Sequence, residues 1–170
     1  MAPRPQKQSV LVLGASGKLG RMLRAVWQET PVSDMVFHHV YRQIDDISGA
    51  IQWAVGGSTD HLPRVDTIVA LWGAAPRSGY PLGVNTDLAI AANELALALG
   101  ASRVLHCSSA AVYQPASTPL REEDAKEPPN SYGKAKRDME RAIEQWQIEN
   151  LSGVSIVSMR IANVAGAESL

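Results

Sequence analysis

Three glycines at three-residue spacing, Gly14, Gly17 and Gly20, follow directly on the apolar run Val10-Leu11-Val12-Leu13, and no other stretch limits the fold so much. Four apolar residues read as a short buried strand, and the glycines read as a tight turn that opens a helix. Gly14 permits the turn, Gly17 lets the backbone approach a ligand, and Gly20 lets the helix pack closely on the sheet. Such a turn aims free backbone N–H groups and the positive end of a helix dipole at one point, where a dinucleotide pyrophosphate would sit. The spacing is G-x-x-G-x-x-G rather than the G-x-G-x-x-G of many dehydrogenases. Glycine serves any sharp strand-to-helix turn, so the reading depends on the rest of the chain.

The rest alternates as this opening demands. Leu19, Met22, Leu23, Val26 and Trp27 trace one helix face, ended by Pro31. Residues 35–41 read as a second strand. Residues 50–55 read as a third, although Ile44, Ile47 and Ile51 equally fit a short helix face. A strand at 66–72, an Ala- and Leu-rich helix at 85–99 closed by Gly100, and a strand at 103–107 follow. A polar, proline-containing loop spans 114–130. Tyr132, Ala135, Met139, Ala142, Ile143 and Trp146 mark the apolar side of a long helix, and residues 154–159 form the last strand. Strands alternating with amphipathic helices predict a doubly wound α/β domain of Rossmann type, a parallel sheet between two helical layers, with its ligand crevice beyond the C-terminal strand ends.

The 170 residues suffice for one domain, read as residues 10–170 behind a loose polar leader, 1–9. A net charge of −1 without a basic cluster argues against nucleic acid or anionic membrane as partner. The single cysteine, Cys107, fits a reducing compartment, and no apolar run is long enough for a signal or a membrane span; a cytoplasmic location is the expectation. His38, His39, His61 and His106 lack metal spacing and read as structural or solvated, and Trp27, Trp53, Trp72 and Trp146 read as packing.

Two further groups carry chemistry. Tyr132 and Lys136, four apart, share one helix face. A cation beside a phenol favours the phenolate and brings a poor acid–base toward working range. The plain alternative is a helix with Tyr132 packed and Lys136 solvated. Ser108 and Ser109, directly after the 103–107 strand, are placed to face the crevice, where a hydroxyl can hydrogen-bond a substrate oxygen; otherwise they are a serine pair in a turn.

Gly14-x-x-Gly17-x-x-Gly20, Ser108-Ser109-Ala-Ala-Val-Tyr113, Tyr132-x-x-x-Lys136 and Arg160-x-x-Asn163-Val-x-Gly166 stand in an order and spacing that resembles the extended short-chain dehydrogenase/reductase superfamily, in its NAD-dependent epimerase/dehydratase branch. The resemblance implies that Tyr132 is the catalytic acid–base, that Lys136 binds the nicotinamide ribose and lowers the tyrosine pKa, and that Ser109, with Ser108 as the next candidate, orients the substrate oxygen. It implies a cofactor cradle in Gly14, Ser16, Gly17, Lys18, Leu19 and Gly20, Asn85 beside the cofactor, and Asn163 facing the substrate. The implied activity is hydride transfer between NAD or NADP and a hydroxyl or keto carbon of a small substrate such as a sugar nucleotide, by an oxidoreductase or an epimerase. A non-catalytic dinucleotide sensor or scaffold is the alternative. The family commonly pairs the central and Tyr-Lys helices into a homodimer, which the Ala-rich helix would permit.

The chain departs from the family pattern in several places. Ala110-Ala111 replaces the Asp-Glu pair of the dehydratases, which removes that mechanism's usual acid and base. Gln114 replaces a glycine. The second strand ends in Val40-Tyr41-Arg42 without the acid that binds a ribose 2′-hydroxyl, and Arg42 could meet a 2′-phosphate, so the expectation tilts to NADP. Ala54 stands where an acid often contacts adenine. Members of the family continue beyond Asn-Val-x-Gly into a smaller substrate domain, so the chain reads as a fragment or as a minimal cofactor-binding unit.

Overall fold

The computed structural model describes residues 7–43, 49–151 and 153–164. Six strands, β1 (Gln8–Leu13), β2 (Met35–Tyr41), β3 (Ile51–Gln52), β4 (Thr67–Ala70), β5 (Arg103–Ser109) and β6 (Ser155–Ile161), form one sheet. Its order is β3-β2-β1-β4-β5-β6 and every pairing is parallel. The helices are α1 (Lys18–Glu29), α2 (Val84–Leu99) and α3 (Ser131–Asn150). The chain leaves the sheet centre in opposite directions from β1 and β4, so the strand order reverses between their C-terminal ends. A doubly wound Rossmann sheet has its ligand crevice at that point.

Burial follows the sequence pattern. Leu11 and Leu13 on β1, Ile68 on β4 and Val104 on β5 are wholly buried and pack with Ala92, Leu95, Ala96 and Leu99 of α2. α1 lies against β2, where Trp27 stacks on Phe37 with ring centroids 3.9 Å apart and Arg24 donates to the Tyr41 hydroxyl. Gly100 closes α2 in the left-handed region (φ 71°), and its N–H returns to the Leu97 carbonyl. Among the described residues no helix is long and apolar enough to cross a membrane, and no cluster of His, Cys, Asp and Glu could hold a metal.

Two expectations need correction. The third strand is only Ile51–Gln52, because the chain turns at 54–57, where the Gly57 N–H bonds the Ala54 carbonyl and Trp53 Nε1 donates to the Gly57 carbonyl. Ile44 and Ile47 lie outside the described residues. β5 also runs two residues further than expected. Ser108 and Ser109 are its last residues, in register with Arg160 and Ile161 of β6. Being consecutive in a strand, their side chains point to opposite faces.

One polar pair sits inside the core. His106 on β5 is 2% exposed, and its Nε2 lies 2.8 Å from Asn93 Oδ1 on α2. Burial, with help from the Lys136 charge, lowers its pKa to about 4. The unfolded chain, with an ordinary imidazole near 6.5, then binds more protons below that value than the fold does. Stability is therefore fully present above pH 6.5 and falls as the pH drops toward 4, by on the order of 3 kcal/mol from this group. Urea titrations from pH 7 to pH 4 should show that slope in the native chain and a shallower one in His106→Gln. Equal slopes would remove His106 as its source.

Candidate active site

The glycine turn has the geometry its sequence implies. Gly14 has φ +81°, and a Cβ there would come within 2.7 Å of the Trp72 backbone nitrogen, so β1 and the end of β4 approach too closely for any side chain. A Cβ on Gly20 would meet the Gly14 carbonyl oxygen at 2.5 Å, which explains how α1 can begin directly beneath the turn. The Gly17 N–H bonds the Gly14 carbonyl, and Gly17 caps α1 without any side chain over its N-terminus. The first-turn N–H groups around Lys18, Leu19 and Gly20 thus face outward beside Ser16, with the positive helix end behind them. No side chain caps these N–H groups, Arg21 Nη1 donates to the Ser16 carbonyl at 2.5 Å, and an anionic phosphate fits the cradle.

The second half of the site is built where β5 meets α3. Asn130 caps α3, its Oδ1 accepting from the Gly133 N–H at 2.8 Å. Tyr132 is half-buried beside Ser109 on β5. Burial pushes its phenol above the ordinary range, while the Ser109 hydroxyl, donating to the phenol oxygen, pulls it back. Ser109 Oγ also accepts from the Ala111 N–H at 3.2 Å, which fixes the hydroxyl at the start of the short 3-10 turn Ala110–Val112.

Lys136, one turn further along α3, is 4% exposed. Its Nζ donates to Asn85 Oδ1 at 3.1 Å and to the Cys107 carbonyl at 2.9 Å, and among the described residues no carboxylate is in hydrogen-bond contact with it. Burial lowers its pKa, while Cys107 and Glu140 act to raise it. In the free protein the Lys136 ammonium is held by the α2 asparagine and the strand carbonyl.

Asn85 is wholly committed. Its Nδ2 donates to the Ala74 and Leu82 carbonyls at 3.0 and 2.8 Å, and its Oδ1 accepts from the Ala74 N–H and from Lys136. Both donors and both lone pairs are used. Asn85 thus fixes the loop after β4 and positions the lysine. Gly73, in that loop, has no room for a side chain: a Cβ would lie 2.5 Å from Asn85 Oδ1 and 3.3 Å from Lys136 Nζ.

The remaining candidates separate. Ser108 is buried and donates to Glu140 Oε1 at 2.6 Å, so its hydroxyl is engaged under α3 while Ser109 meets Tyr132. Asn163 lies past the end of β6, exposed, and Gly166 falls outside the described residues. Arg42, exposed at the end of β2, donates from Nη2 to the Tyr80 hydroxyl at 2.9 Å and lies over that ring. Sequence reading missed Tyr80, the Cys107 carbonyl and Glu140. Only Glu140 left a signal, as an acid on the buried side of α3 four residues beyond Lys136.

A Cβ on Gly133 would come 2.0 Å from the Ala111 carbonyl oxygen, so α3 touches the turn after Ser109 backbone to backbone. Gly133→Ala should therefore push the start of α3 away from β5 despite alanine's better helix propensity. A loss of about 2 kcal/mol or more in urea unfolding is expected, in place of the gain of up to about 1 kcal/mol an open helical site would give. A stabilised variant would show that this contact is not a constraint.

Solved structures similar to this chain share its fold. UDP-N-acetylglucosamine 4-epimerase from Bacillus cereus matches at TM-score 0.73 with 18% identity, over 94% of this chain and 62% of that one. The Bordetella bronchiseptica enzyme WbmG, solved with NAD and UDP, matches at 0.71 with 22% identity, over 98% and 57%. RMD from Pseudomonas aeruginosa, complexed with NADPH, matches at 0.67 with 23% identity, over 92% and 53%. The chain thus spans little more than half the length of these proteins. No curated protein matches it in sequence. The model of the NAD dependent epimerase/dehydratase family matches residues 10–169. With nearly the whole length covered, the chain belongs to the NAD dependent epimerase/dehydratase family.

Proposed function

We propose that this chain is the cofactor-binding and catalytic part of an NAD(P)-dependent epimerase or reductase that works through Ser109, Tyr132 and Lys136. The observation that carries the reading is the buried Lys136 ammonium, one helical turn from the half-buried Tyr132 phenol beside Ser109. A lysine is seldom buried without a carboxylate partner unless its charge has a use.

Gly14, Ser16, Gly17, Lys18, Leu19 and Gly20 would hold the pyrophosphate, and Lys136 would reach the nicotinamide ribose from beneath. The dinucleotide would accept or return a hydride at the substrate carbon. Tyr132 would take up or supply the hydroxyl proton, with Ser109 binding the same substrate oxygen. Burial keeps the phenol protonated in the free protein, so it is set to donate first, as carbonyl reduction requires. Asn163 is proposed to face the substrate from the end of β6. The similar epimerase from Bacillus cereus acts on UDP-N-acetylglucosamine, and a nucleotide sugar is the substrate class proposed here.

NADP is the proposed preference. Arg42 stands at the end of β2 where a ribose 2′-phosphate would lie, and Tyr80 holds its guanidinium there by a hydrogen bond. A second reading, a dinucleotide sensor or scaffold without turnover, draws on the same raised phenol pKa, since a sensor has no need of a phenolate.

Fluorescence titration with NADPH and NADH, followed by assays with UDP-N-acetylglucosamine, tests both readings. Tyr132→Phe should cut turnover by about 10²–10⁴-fold while dinucleotide affinity stays within about threefold. Dinucleotide binding without turnover in the native chain would favour the sensor, and absent binding would end both. Arg42→Ala should weaken NADPH about tenfold and leave NADH within about twofold. Equal native affinities for the two would remove the assignment of Arg42.

A further inference from the structure

The most heavily bonded carboxylate among the described residues belongs to a side chain that the proposed chemistry does not use. Glu140 is 2% exposed and lies on α3 eight residues past Tyr132 and four past Lys136, so the three share one face of the helix. Its Oε1 accepts from Ser108 Oγ at 2.6 Å and from Arg160 Nε at 3.0 Å. Its Oε2 accepts from Arg160 Nη2 at 2.9 Å and from Arg137 Nη1 at 3.2 Å. The four bonds fill the carboxylate and come from three elements, β5, β6 and α3 itself.

The surroundings keep that carboxylate ionised. Arg160 and Ser108 outweigh the cost of burial and hold it below the usual carboxylate range. Arg160 is in turn fixed from its other side, donating from Nη1 to the Tyr113 hydroxyl and the Glu122 carbonyl, both at 2.7 Å. Arg137 also reaches Glu144 at 3.0 Å. On the Lys136 side, the groups that favour the ammonium are Cys107 from β5 and Glu140 from α3, and the ammonium in turn acts on His106 of β5. Glu140 is thus the carboxylate within this set, one helical turn away.

We propose that Glu140 is a positioning residue for the site, fastening the helix face that carries Tyr132 and Lys136 to β5 and β6 and keeping an anion one turn from the Lys136 ammonium. The inference rests on the reading of Tyr132 and Lys136 given above. Ser108 and Arg160 act through Glu140: the first sets the height of α3 against the strand that bears Ser109, and the second ties it to the edge strand. A purely structural carboxylate would hold the helix without affecting the charge on Lys136, and that difference can be measured.

The full chain, labelled with ¹³C at lysine Cε, reports the titration of Lys136, assigned by its loss in Lys136→Arg. Glu140→Gln keeps the shape and one acceptor oxygen but removes the charge and turns the other oxygen into a donor. The Lys136 midpoint should fall by about one pH unit in Glu140→Gln, recover in Glu140→Asp, and stay in place in the exposed control Glu149→Gln. Turnover in Glu140→Gln should fall about tenfold, chiefly in kcat. If Glu140→Gln does not fold, Glu140→Gln with Arg160→Met removes the ion pair whole and takes the same measurement. A midpoint within about 0.2 pH unit of the native one in the folded variant overturns the proposal. A midpoint that moves in a chain that binds no NADPH or NADH would instead sink the catalytic reading and leave the positioning role standing.

Discussion

The buried ammonium of Lys136 is the constraint around which this structure is arranged. Moving an unpaired cation out of water costs several kcal/mol, and the fold offsets this with two neutral oxygens, Asn85 Oδ1 and the Cys107 carbonyl, and an anion one turn away at Glu140. Each of these demands something further. Asn85 can accept from lysine only because its other three hydrogen-bonding positions are filled by the loop after β4 and the turn before α2. That loop can pass only as glycine at position 73. The Cys107 carbonyl lies just past the end of β4, whose last pairing is Ala70 with His106, while β5 runs on to Ser109.

The two halves of the site depend on each other through the sheet rather than by contact. The glycine turn ends β1 and the Tyr-Lys helix stands over the end of β5, with β4 between them. Gly14 lies against the Trp72 backbone, and the chain runs from Trp72 into the loop that Asn85 fixes. A continuous path of short, rigid contacts therefore joins the phosphate cradle to the lysine. This is how a doubly wound sheet can hold the two ends of a long ligand at fixed separation.

The acid–base state of the site follows from burial more than from neighbouring charge. In Tyr132 the loss of water outweighs the hydrogen bond from Ser109, and in Lys136 it outweighs both electrostatic contributions that favour the cation. A ligand that covered the crevice would exclude more water and strengthen every interaction there, so the free protein sets only the starting point for proton transfer.

The apolar run before Gly14, the helix periodicities and the spacing of Tyr132 and Lys136 determined the class of fold and the faces of its elements. These properties are local, fixed by the two periods of strand and helix and by the conformations that only glycine adopts. Ser108 and Ser109 mark where local reading ends: as neighbours in sequence they look interchangeable, but the strand continues through both and turns one toward Glu140 and the other toward Tyr132. The partners of Lys136, the clamp of Asn85 and the pairing of Arg42 with Tyr80 were likewise decided by tertiary structure alone. Lys136 is 51 and 29 residues from Asn85 and Cys107, Asn85 is 11 from Ala74, and Arg42 is 38 from Tyr80. No sequence period brings such residues together; only the order of the strands and the packing of α2 and α3 on them does so.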